Sequence, residues 1–161
     1  VTHLLTPARR AQLVTPAQMR EMDRRAIEDV GLPGALLMER ASLGAADALL
    51  AHLPHTRRVV TLCGGGNNGG DGYAVARILA HRGLDSSAVA LSDPTGLGAD
   101  ARMNHDACVR LGVPVYPMYD LDDAHLLAAL GALATPDVWC DALLGTGLDR
   151  PVVGRDAAAH G

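Results

Sequence analysis

Val59-Val60-Thr61-Leu62-Cys63 is a short, β-branched, apolar run that stops at Gly64-Gly65-Gly66-Asn67-Asn68-Gly69-Gly70-Asp71-Gly72. An apolar-periodic stretch follows, with Tyr73, Ala76, Ile78, Leu79 and Ala80 at helical spacing. A buried strand, a glycine turn and a helix in that order commit this part of the chain to a βα unit. Further strands are predicted at Ser87–Leu91, Val113–Met118 and Asp137–Leu143, separated by helical stretches near 72–82, 99–111 and 121–133. Gly83 and Gly112 fall where helix ends need a left-handed residue. Strands alternating with helices imply crossover connections and a mostly parallel sheet covered on both faces, a three-layer αβα, Rossmann-like architecture.

The first 54 residues read as a helix pair instead. Thr15 suits the cap, Pro16 the first helical position and Gln18 the return bond of a capping box, and Gly31 with Pro33 supplies the stop. Met19, Met22, Ala26, Ile27 and Val30 are expected to form the buried stripe of this helix. A second helix is predicted from about Ala35 to His52, with Leu36, Leu37, Ala41, Ala45, Ala48 and Leu49 inward. Residues 1–13 are expected to be a loose arm.

With 161 residues and 48% apolar content, one compact domain is expected. The net charge of −4 and the lack of a basic stripe exclude a general nucleic-acid surface. No apolar stretch reaches the ~18 residues a membrane helix needs, so no membrane partner is expected. Cys63, Cys108 and Cys140 show no CxxC spacing, which excludes a zinc framework and points to a reducing, cytoplasmic setting. Cys63 and Cys140 sit in apolar runs and are expected to be buried and inert. His105 and His125 are expected on helix surfaces, and Trp139 and Met38 in the core.

Glycines after a strand permit positive φ and close backbone approach, so that amides at a helix N-terminus can face a phosphate. A turn built for geometry alone has no need of two asparagines and an aspartate, so Asn67, Asn68 and Asp71 are candidate ligand contacts. No GKS or GKT is present, which excludes a P-loop. Ser92, Asp93 and Pro94 end the second strand without an acidic residue set for a ribose, which disfavours a hydride-transferring dehydrogenase. The last strand leads from Asp141 into Gly145-Thr146-Gly147-Leu148-Asp149-Arg150-Pro151. In open parallel sheets ligands bind beyond the carboxyl ends of the strands, so Asp141 and this turn are expected at the same crevice as the first glycine loop. Oxygen ligands such as Asn68 and Asp141 suit a hard cation, an alkali ion among them. Asp71 and Asp141 are the two candidates for proton transfer.

Three stretches, MREMDRRAIEDVGLPGALLMERAS at 19–42, GGGNNGGDGYAVAR at 64–77 and DALLGTGLDRP at 141–151, resemble the NAD(P)H-hydrate epimerase family. The resemblance implies an isomerase that interconverts the R and S forms of hydrated NADH and NADPH, NAD(P)HX, in repair of nicotinamide cofactors. It implies substrate contacts at Asn67, Asn68, Gly69, Gly70 and Asp71, and again at Gly145, Thr146, Gly147, Leu148, Asp149, Arg150 and Pro151. It implies a potassium ion held by Asn68 and Asp141, with Asp141 the first and Asp71 the second acid/base candidate. A homodimer through the N-terminal helices is implied, and a separate or fused ADP/ATP-dependent dehydratase as companion. The chain departs from the family pattern at Arg40-Ala41-Ser42, where Asn-Ala-Gly is common, and at Gly65, where Pro is frequent. It also stops before the family's later Asp-x-Pro-Ser-Gly segment, so a fragment lacking the C-terminal part of the domain is expected. The alternative function is a non-catalytic nucleotide-binding or protein-interaction module of the same fold.

Overall fold

The computed structural model describes residues 14–146. The chain divides into two compact units, one up to Gly34 and one from Ala35 onward. In the first, helix α1 (Pro16–Glu28) begins with the expected capping box. Gln18 N donates to Thr15 Oγ1 at 3.2 Å, and Thr15 N to Gln18 Oε1 at 2.8 Å. Its polar face is tied by Arg24 to Glu21 and Glu28, three- and four-residue spacings that place side chains together on a helix. The expected burial of the apolar stripe is not found. Met19, Met22, Ile27 and Val30 are all exposed, Val30 by 70%, and Ala26 is half-buried. A stripe read from periodicity marks a face that prefers cover, not the element that supplies it.

The second unit contains α2 (Gly34–His52), β1 (Arg58–Cys63), α3 (Asn67–His81), β2 (Asp85–Ala90), α4 (Ala99–Arg110), β3 (Val115–Pro117), α5 (Asp123–Ala132) and β4 (Val138–Ala142), with a single 3-10 turn at Pro94–Gly96. The four strands are parallel, in the order β3-β2-β1-β4. α2, α3 and α4 pack on one face of the sheet through Val59, Cys63, Ala88 and Ala90, with Tyr73, Ile78, Leu79, Ala46 and Cys108 opposite them. α5 packs on the other face through Leu126 against Val60, Val89 and Met118. This is the expected three-layer αβα arrangement. With β1 as the first strand, right-handed crossovers through α3 and α4 build outward to β3, and the chain must return across α5 to add β4 on the far side of β1. The direction of winding therefore reverses between β1 and β4.

Gly83 and Gly112 take φ of +86° and +74° at the ends of α3 and α4, as their positions require. Two expectations are corrected. The inward face of α2 is Met38, Ser42 and Ala46, flanked by Leu43, Leu49 and Leu50, while Leu36, Ala41, Ala45 and Ala48 are exposed. Small residues on several faces left the apolar stripe of this helix degenerate in sequence. Trp139 is 46% exposed, not core. It alternates with Val138 and Cys140, which face α3, so it points to the face where α5 covers β1 and β2 rather than β4.

Candidate functional site

The glycine segment is shorter as a loop than its composition suggests, because α3 starts at Asn67 and takes in Gly69, Gly70 and Gly72. Glycine is a poor helix former, so something beyond propensity holds this turn helical. A Cβ on Gly69 would lie 1.9 Å from Gly64 O. One on Gly70 would lie 2.8 Å from Met38 Cε and 2.9 Å from Ala101 Cα, and one on Gly72 2.6 Å from Ala142 Cβ. α3 thus rests on the sheet, on α2 and on α4 more closely than any side chain allows. None of these glycines has positive φ, which in the described residues is confined to Gly31, Gly83 and Gly112. Of the two freedoms that glycine permits here, positive φ is not used and close approach is. The glycines serve close approach between the protein's own elements.

That packing aims the start of α3 at the carboxyl ends of β1 and β4. Gly66 occupies the cap position with no side-chain bond to the helix, and the first intrahelical bond is Gly70 N to Gly66 O at 3.1 Å. The amides of Asn67, Asn68 and Gly69 precede it, the donors a helix start leaves over for an anion. Asn68 Nδ2 donates to Leu144 O at 3.0 Å, and a Cβ on Gly145 would stand 3.1 Å from Asn68 Cβ. Gly64 N donates to Ala142 O at 3.1 Å, continuing the β1–β4 ladder one step past the strands. The two glycine turns therefore meet, as expected, and they meet at the β1/β4 reversal, the place where open α/β sheets form their ligand crevice.

Asp141 lies exposed on β4, one residue before the strand ends, and its Oδ1 accepts from Leu143 N at 2.9 Å. The bond fixes the carboxylate beside the turn that Asn68 also holds. Asp71, half-buried on the second turn of α3, lies 3.3 Å from the hydroxyl of Ser42 on α2 through both its backbone O and its Oδ1. In sequence Ser42 stood out only as part of the Arg40-Ala41-Ser42 departure from the family pattern, not as a site residue. The signal was there: a polar residue one turn from Met38 and one turn from Ala46 in the buried stripe. Next to this contact, Glu39 on α2 pairs with Arg77 on α3, and Arg77 also donates to Asn104 Oδ1 on α4 at 3.2 Å. Gly145 and Thr146 are exposed at the mouth of the turn, while Gly147, Leu148, Asp149, Arg150 and Pro151 lie outside the described residues.

Among other residues weighed, Asp93 caps the 3-10 turn, its Oδ1 accepting from Thr95 N at 2.7 Å, a bond that holds its carboxyl below the usual aspartate range. That carboxylate is engaged at home rather than set toward a ribose. His105 is not a surface histidine: its ring packs edge-on against Tyr73 with centroids 5.2 Å apart. His125 is exposed and bonded to Asp122. Cys63 and Cys108 are buried, and burial raises both thiols, Cys108 to about 11. Cys140 is half-buried, with its thiol also raised by burial.

Asn68 and Asp141 supply an amide and a carboxylate, oxygen donors suited to a hard cation. Among the described residues no three His, Cys, Asp or Glu side chains cluster as a transition-metal site would require. With Nδ2 given to Leu144 O, Asn68 keeps its side-chain carbonyl oxygen as its acceptor group.

The family described as YjeF-related protein N-terminus matches residues 34–160. The NAD(P)H-hydrate epimerase of Limosilactobacillus fermentum is 37% identical over 146 residues, 91% of this chain and 65% of that protein. The same enzyme of Rhodopirellula baltica is 34% identical over 154 residues, 96% of this chain and 60% of that protein. The bifunctional NAD(P)H-hydrate repair enzyme of Moorella thermoacetica is 36% identical and is covered over 28% of its length. The chain thus spans less than two thirds of each of these relatives. The crystal structure of a yeast protein superposes with a TM-score of 0.75 at 20% identity, over 92% of this chain and 63% of that one, a likeness of fold.

Proposed function

The chain belongs to the family of YjeF-related N-terminal domains, and from that premise we propose that its protein interconverts the R and S epimers of hydrated NADH and NADPH. The observation that carries the reading is the meeting of the two glycine turns at the β1/β4 reversal. Asn68 is bonded to Leu144 O and Asp141 to Leu143 N there, in a chain about 35% identical to enzymes named for this activity. The donor amides at the start of α3, with the side chain of Asn67, receive the phosphates of the dinucleotide. Gly69 and Gly70 contribute by holding that turn against α2, α4 and Gly64. Asp71 and the 145–151 turn, with Arg150 toward a phosphate, complete the substrate contacts.

Inverting the carbon that bears the added water requires a proton to be given and another taken around the nicotinamide ring, whether the ring opens or the water leaves. Asp141, held by Leu143 N next to the crevice, is the first candidate for that work and Asp71 the second. Asn68 and Asp141 would hold a potassium ion, which supplies fixed positive charge beside the developing negative charge. A cytoplasmic homodimer belongs to the same proposal, supported by the exposed apolar residues of α1 and by the free, mostly buried thiols. So does work beside a dehydratase, supported by the bifunctional relatives.

The test is the rate of R-to-S epimerisation by the full-length protein, coupled to an S-specific dehydratase, with Asp141→Ala alongside and potassium exchanged for a larger organic cation. We expect acceleration that needs potassium and falls at least ~100-fold with Asp141→Ala. Tight nucleotide binding with no acceleration over the spontaneous rate refutes the enzyme and leaves a binding module.

A further inference from the structure

We propose that Ser42 is a positioning residue that fixes the carboxylate of Asp71 at the edge of the site. The inference rests on the reading of Asp71 as an acid/base group. Ser42 is 1% exposed and stands in the buried stripe of α2 between Met38 and Ala46. A hydroxyl in such a place is costly unless it is bonded, and an alanine would complete the stripe without that cost. Serines inside helices commonly turn back to the carbonyl four residues earlier. This one reaches across to α3 instead, to Asp71 O and Asp71 Oδ1, both at 3.3 Å.

The backbone carbonyl of Asp71 is already an acceptor within its own helix. With that carbonyl committed to the helix ladder, Oδ1 is the better-placed acceptor of the two, so the hydroxyl donates to it and limits the rotation of the Asp71 side chain. Two further contacts link the helices near this point. Met38 Cε lies 2.8 Å from where a Cβ of Gly70 would be, and the Glu39–Arg77 ion pair joins α2 to α3 on the neighbouring turns. A rigid donor on one helix and a half-buried carboxylate on the other form the second layer of support that keeps a proton-transfer group in its working orientation.

The experiment is Ser42→Ala in the full-length protein, which removes the hydroxyl and keeps a good helix former. Two readouts are taken: steady-state epimerisation, and the carbon-13 resonance of the Asp71 carboxyl, assigned by its loss in Asp71→Asn. We expect kcat to fall about tenfold with KM within about twofold, and the Asp71 resonance to move. A resonance that stays in place, a kcat within twofold of the parent, or a loss carried wholly by KM overturns the inference. Absence of epimerisation in the parent protein refutes the proposed function. The resonance then decides alone whether Ser42 holds Asp71.

Discussion

Replacing Gly72 by alanine tests whether glycine is used in α3 for contact with the sheet. Taken alone, the helix gains from the change, by about 1 kcal/mol. The structure predicts the opposite sign. A Cβ at this position would stand 2.6 Å from Ala142 Cβ, 2.9 Å from Cys63 Sγ and 3.1 Å from Thr61 Cγ2, atoms of β4 and β1. Ordinary carbon–carbon contacts lie near ~3.7 Å, so α3 has to lift by about 1 Å. Cys63 Sγ can turn aside, but Ala142 Cβ moves only with its strand. Overpacking of this kind costs about 1–3 kcal/mol, at the upper end when backbone must shift. After the propensity gain is subtracted, a net loss of about 2 kcal/mol is expected, or about 6 °C in Tm for a protein of this size. Gly44→Ala on the exposed side of α2 is the matched control, since nothing lies within 4 Å of its Cβ. It should stabilise by about 0.5–1 kcal/mol. Urea unfolding of the full-length protein followed by circular dichroism measures both. Gly72→Ala at or above the parent stability would refute the packing argument.

Gly69→Ala, whose Cβ would meet Gly64 O at 1.9 Å, should lower Tm further than Gly72→Ala and weaken NADPH binding at least ~10-fold, as read by calorimetry. Thr15→Ala removes the capping box of α1, and amide exchange of Gln18 should quicken about fivefold, the equivalent of about 1 kcal/mol. Asp137 Oδ2 accepts from Arg57 N at 2.7 Å and Arg58 N at 2.8 Å, and these amides, Arg58's foremost, hold its carboxyl below the ordinary 3.8. A depressed folded-state pKa contributes stability above the unfolded value that is lost as pH falls through the folded one. The stability gap between the parent and Asp137→Asn should therefore be constant from pH 7 to about 4 and close below it, and a gap unchanged to pH 2.5 would contradict this. Cys63 and Cys108 should resist an aromatic disulfide reagent at pH 8 until the protein unfolds, because burial raises both thiols.

The sequence by itself determined much of the local structure. Thr15, Pro16 and Gln18 specified the start of α1, and Gly83 and Gly112 the ends of α3 and α4, because capping and left-handed φ depend on residues within a few positions. Alternation of β-branched runs with helical periods specified the parallel αβα class, and the segments at 64–72 and 141–146 marked both sides of the crevice. The strand order was decided by the tertiary structure, since a crossover to either side of β1 leaves the same local pattern, and only that order brings Asn68 to Leu144 O. The same holds for helical glycines at 69, 70 and 72. Their reason lies in Gly64, Ala101 and Ala142, residues up to 70 positions away that no local rule connects to them. The faces of α1 and α2 and the exposure of Trp139 were likewise hidden, because periodicity shows that a face is apolar and not what lies across from it. Ser42 shows the same limit: a serine in an apolar stripe reads as a blemish until the folded chain sets Asp71 beside it.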